Sequence, residues 1–116
     1  MDIKEFYAAV GGNYNEVFSQ LGDDEFILDL LKRFIAKNEM EHLKDFIKEK
    51  KYQYAFICAH DMKGYGLNMA LPELHKAAHE VCEPLRNCKE LKIDIMPLVS
   101  KLETAYNNIK ENVALL

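Results

Sequence analysis

Apolar residues return every three or four positions almost without a break from Ile3 to Val113, and no stretch alternates with period two for long enough to make a strand. That period is the signature of helices with one buried face, so the chain is expected to be all-α. A first short stripe, Ile3, Phe6, Tyr7 and Val10, is stopped by Gly11-Gly12, and a second, Tyr14, Val17, Phe18 and Leu21, by Gly22. Asp23 is placed to cap the next helix, with Asp24 and Glu25 in its first turn, where the helix dipole favours acids. Its stripe is Ile27, Leu30, Leu31 and Phe34, followed by another short helix carrying Met40, Leu43, Phe46 and Ile47. A long segment from Tyr52 to Ala70 would span roughly 28 Å at 1.5 Å per residue. Pro72 suits the first turn of the helix bearing Leu74, Ala77, Ala78, Val81 and Leu85. Asn87 to Ile93 reads as a loop, and Asp94 can cap a last helix in whose first turn Pro97 costs no hydrogen bond. Long amphipathic helices with short connections predict an antiparallel four-helix bundle, with short additional N-terminal helices capping one end.

Length and charge narrow the function classes. A chain of 116 residues fits a single domain, 1–116, with one core. The formal net charge is −4, which disfavours nucleic-acid binding through a basic stripe. No apolar run approaches the roughly 20 residues that cross a bilayer, and the start, Met1-Asp2-Ile3-Lys4-Glu5, lacks a secretory pattern. Three cysteines, Cys58, Cys82 and Cys88, without framework spacing suggest free thiols in a reducing compartment, so the cytoplasm is the expected location.

Chemistry concentrates in the segment from Tyr52 to Ala70. Advancing 100° per residue puts Ala55, Cys58, Ala59, Met62, Tyr65, Gly66 and Met69 on the core side. His60 falls well away from that arc, near Gln53, Phe56, Ile57, Lys63, Gly64 and Leu67. His60 is therefore expected to be exposed among apolar neighbours, which suits a partner site better than a solvated face. An imidazole is a competent nucleophile near neutral pH. Lys63 lies one turn on, and Gly64 leaves the next turn bare. A glycine in a helix interior costs about 1 kcal/mol against alanine, and this helix has two. Access to His60 accounts for Gly64; close approach of another helix accounts for Gly66.

The order Ala59-His60-Asp61-Met62-Lys63-Gly64, continuing through Leu67, Asn68 and Met69 to Leu74, resembles the H-x-L-K-G motif of histidine-containing phosphotransfer (HPt) domains. The resemblance covers most of the chain, but only the motif helix is specific. It implies that His60 accepts a phosphoryl group from an aspartyl phosphate on a receiver domain or hybrid histidine kinase and passes it to another receiver. Lys63 would stabilise the phosphoryl oxygens and Gly64 would give steric access. Gln53, Phe56, Ile57 and Leu67 would meet the receiver domains of response regulators and hybrid kinases. The chain would be a phosphoryl carrier rather than an enzyme, with no bound cofactor and with Mg²⁺ held by the partner receiver. Two departures stand out: Met62 replaces the usual leucine, a volume-conserving change, and Ala70 stands where the family commonly has glycine.

Two other classes stay open. A degenerate, non-phosphorylated interaction module would keep the docking face alone. A metal-binding bundle would use His75 and His79, four apart on one helix, with Cys82, but no HExxH or CxxC supports it.

Overall fold

The structure, a computed structural model, describes Met1–Leu116 and is all-helical, with no strand. Seven helices follow one another: α1 (Ile3–Ala9), α2 (Tyr14–Leu21), α3 (Asp24–Ala36), α4 (Glu39–Lys48), α5 (Tyr52–Asn68), α6 (Pro72–Leu85) and α7 (Met96–Val113). None is long and apolar enough to cross a membrane.

Helix starts follow local chemistry. Asp2 and Glu5 form a reciprocal capping box, each side chain accepting from the other's backbone N–H. Asn13 accepts from Glu16 N at 3.0 Å and Asp23 from Glu25 N at 2.9 Å, so each begins the helix it precedes. Pro72 sits at the start of α6, and Asp94 accepts from Met96 N at 3.0 Å as α7 begins. Pro84, in the last turn of α6, has no N–H to continue the ladder, and the helix stops one residue later.

The α5 helix stops at Asn68, two residues short of the expected end, because Ala70 takes a left-handed conformation with φ 55°. Leu71 N donates to Gly66 O at 2.8 Å and Ala70 N to Leu67 O at 3.3 Å, which is a Schellman closure built on alanine in place of glycine. The N-terminal segment grips this corner. Tyr7 Oη donates to Met69 O at 2.8 Å and Asn13 N to Ala70 O at 2.9 Å. Gly12 passes so close that a Cβ there would lie 3.0 Å from Ala70 O.

The most extensive packing joins α5 to α6, followed by α4 to α5 and α6 to α7; α4 also touches α7. The ten-residue α4, short as expected, thus lies between α5 and α7, while the longer α3 contacts α1, α2 and α7. Met40 and Leu43 explain that place, being 1% and 0% exposed. Lys44 reinforces it from the surface by bridging Glu41 of its own helix and Glu103 of α7. The core is continuous through Ile27, Leu31, Leu43, Met62, Leu74, Leu85 and Leu102, all fully buried. Each such side chain contributes about 1.5–3 kcal/mol by leaving water. Phe34 of α3 stacks on Tyr65 of α5 at 3.9 Å, and Tyr65 Oη donates to Leu30 O at 3.3 Å, so α3 closes over the core side of the motif helix.

Glu39 is the one buried charged residue. It opens α4, with the Asp61 side chain of α5 within hydrogen-bonding reach. Burial first, then the charge of Asp61, holds its carboxyl above the usual range; Lys37 and His42 oppose this. Cys58 of α5 and Tyr106 of α7 share the locality: Glu39 contributes to raising both, and burial pushes the Cys58 thiol up to about 11. A carboxyl raised on folding binds its proton more tightly in the folded chain, so its contribution is complete below the unfolded pKa of about 4.3 and is lost as pH rises through the folded value. Glu39→Gln removes this titration while keeping a donor for Asp61. The melting temperature of the variant relative to wild type is expected to climb as pH rises from about 4.3 toward neutrality. A difference that stays constant across that range contradicts the assignment.

Candidate functional site

The two faces of α5 fall as the 100° advance requires. Ala55, Cys58, Ala59, Met62, Gly66 and Met69 are buried, and Tyr65 is half-buried against Phe34. His60 is exposed, as are Gln53, Ile57 and Leu67, while Phe56, Lys63 and Gly64 are half-buried. Ile57 and Leu67 are 54% and 60% exposed, so an apolar rim flanks the imidazole on both sides along the helix. Tyr54, 60% exposed and 5.4 Å from the Phe46 ring, extends the apolar surface toward α4.

The glycines separate cleanly. A Cβ on Gly64 would meet nothing within 4 Å, whereas one on Gly66 would lie 2.6 Å from His75 N and 2.9 Å from its Cα. Gly64 therefore borders open space and Gly66 is the contact point of α5 with α6. A helical side chain leans toward the N-terminus and covers the preceding turn. The residue that would cover His60 is thus the one four positions on, and Gly64 has no side chain to do so.

His60 itself leans back over Phe56. The two rings stack with centroids 5.6 Å apart and planes inclined at 24°. Arg86, from the turn that ends α6, lies 5.2 Å over the same Phe56 ring and reaches Glu83 Oε1 at 3.4 Å. Arg86 belongs to this locality although no feature near His60 in the sequence points to it. Only the pairing of α5 with α6 brings it there. Phe56 thus packs toward the end of α6. Gln53, expected from sequence among the partner contacts, donates from Nε2 to Cys88 O at 2.9 Å and ties α5 to the loop before α7.

Cys82, fully buried, has its thiol pushed up by burial and drawn down by the charges of Lys63 and Arg86, which places both cations on the α5–α6 side of the site. His75 and His79 do not converge. His75 is half-buried with Nδ1 3.0 Å from Lys63 O, while exposed His79 faces Glu83 at 3.8 Å. No three His, Cys, Asp or Glu side chains gather as a metal-binding group. The His75 contact fixes the carbonyl of Lys63 and so the backbone that carries its side chain. What the arrangement offers is one reachable imidazole with a cation one turn away, an uncovered turn beyond it and an apolar surround.

No family model matches the chain, and neither does any curated protein or solved structure.

Proposed function

We propose that the protein is a histidine phosphotransfer carrier of a two-component phosphorelay, with His60 as the phosphoryl acceptor. The observation that carries this reading is an exposed imidazole followed at three positions by Lys63 and at four by a glycine that borders open space. In the forward step an imidazole nitrogen attacks the phosphorus of an aspartyl phosphate on a receiver domain. The N–P bond forms, the acyl O–P bond breaks, the carboxylate leaves on the receiver, and the proton on the other ring nitrogen passes to water. The reverse sequence delivers the group to a second receiver. Lys63 offsets charge on the phosphoryl oxygens as they approach. Mg²⁺ belongs to the receiver in this scheme, and the chain acts as a carrier whose chemistry its partner completes.

The wider assignment follows from the same reading. The mutually packed α4, α5, α6 and α7 would be the antiparallel four-helix bundle of such a carrier, α1–α3 its N-terminal cap, and the protein a cytoplasmic monomer meeting receivers of response regulators and hybrid kinases. Exposed Ile57 and Leu67 would contact the receiver. They also favour a second reading, a helical module that binds receivers without being phosphorylated.

One assay separates the two. Mixed with a phosphorylated receiver and Mg²⁺, the protein should gain an acid-labile, alkali-stable phosphate, and His60→Gln should fold equally well yet gain none. Binding without label supports the interaction module, and label that persists in His60→Gln rules out this acceptor.

A further inference from the structure

A nucleophilic imidazole must present one nitrogen along a defined line, and its ring torsion is broad unless something fixes it. Proteins commonly fix it with a hydrogen bond to the second ring nitrogen. His60 has none: the one imidazole hydrogen bond in the protein is that of His75 to Lys63 O. What His60 does have is the Phe56 ring one turn below, at 5.6 Å and 24°. The leaning of helical side chains toward the N-terminus makes this stacking a direct result of the four-residue spacing. Phe56 is in turn held from another helix, with Arg86 at 5.2 Å over its ring and Arg86 held by Glu83. On the opposite side along the helix, Gly64 leaves the imidazole uncovered.

We infer that Phe56 is a positioning residue: its ring, braced by Arg86, sets the plane of the His60 imidazole so that a phosphoryl donor meets a fixed nitrogen from the side left open by Gly64. This rests on His60 being the acceptor. It assigns Phe56 a different part from the docking anchor expected from sequence, because a ring stacked on the acceptor acts whether or not a receiver is present. A small donor should therefore feel the loss of Phe56 as much as a receiver does.

The test uses the full chain with phosphoramidate as phosphoryl donor and compares wild type, Phe56→Leu and Phe56→Tyr. Nuclear magnetic resonance of the free proteins reads the ring-current displacement of the His60 imidazole protons, with exposed His79 as internal reference. That displacement should be present in wild type and Phe56→Tyr and collapse in Phe56→Leu, while helical circular dichroism stays the same. Phosphorylation of His60 by phosphoramidate should slow several-fold in Phe56→Leu and be restored by Phe56→Tyr. If Phe56→Leu loses the displacement yet reacts at the wild-type rate, the positioning role is wrong and the acceptor assignment survives. An unchanged displacement in Phe56→Leu overturns the stacking itself. If wild type takes no phosphate from phosphoramidate or from a phosphorylated receiver, the acceptor reading falls and takes this inference with it.

Discussion

Gly66→Ala should lower the stability of the protein by about 1–2 kcal/mol: forcing an extra methyl into a packed contact costs about 2–3 kcal/mol, less a helix-propensity gain of about 1 kcal/mol. The added Cβ would lie 2.6 Å from His75 N and 2.9 Å from its Cα. Both are backbone atoms of α6, so no side-chain rotation relieves the clash, and the most extensive helix pair in the protein has to separate. Separation would also loosen Ala59 and Ala78, fully buried small residues on these two helices. Gly64→Ala is the control. It lies two residues away in the same helix with open space around its Cβ, so propensity alone should raise stability by up to about 1 kcal/mol. Thermal unfolding followed by circular dichroism should move in opposite directions for the two variants. Equal melting temperatures would mean that α5 and α6 do not meet at Gly66 as described.

If His60 is the phosphoryl acceptor proposed above, Gly64→Leu should yield a more stable protein that takes up phosphate poorly. The leucine gains helix propensity, and its side chain leans back over the turn carrying His60. On the proposed reading, a receiver bringing an aspartyl phosphate to the imidazole would then meet an isobutyl group first. Transfer from a phosphorylated receiver should fall at least about tenfold, equivalent to 1.4 kcal/mol in the barrier. Stopped-flow or quenched transfer kinetics on folded protein would measure it. Transfer at the wild-type rate would show that the open space at Gly64 has no part in access.

Much of this site was legible from one dimension because its parts lie on a single helix. A fixed advance of 100° per residue places His60 outward, Met62 and Ala59 inward and Gly64 beside the imidazole, whatever the rest of the chain does. The cap at Asp23, the Asp94 contact to Met96 N and the helix start at Pro72 are equally local. The unread parts depend on which helices meet. Arg86 reaches Phe56 only through the register of α6 on α5. Glu39 carries no signal in the sequence and is buried where α4 packs on α5, beside Asp61. The standing of α4 was hidden for a related reason. Length suggested a minor helix, but its packing is decided by Met40 and Leu43, which are buried between longer neighbours.

Ala70 carries a consequence that belongs to the disordered chain rather than the folded one. An alanine held at φ 55° sacrifices about 1–2 kcal/mol of local conformational preference. Before folding, however, alanine samples far less of backbone space than glycine, so less freedom disappears when the corner forms. Asn38, Lys50 and Asn87 adopt the same left-handed backbone after α3, α4 and α6, whereas Gly11 and Gly22 supply it after α1 and α2. At the connections after α3, α4, α5 and α6, the smaller entropy of the denatured chain thus offsets part of what the left-handed corner costs.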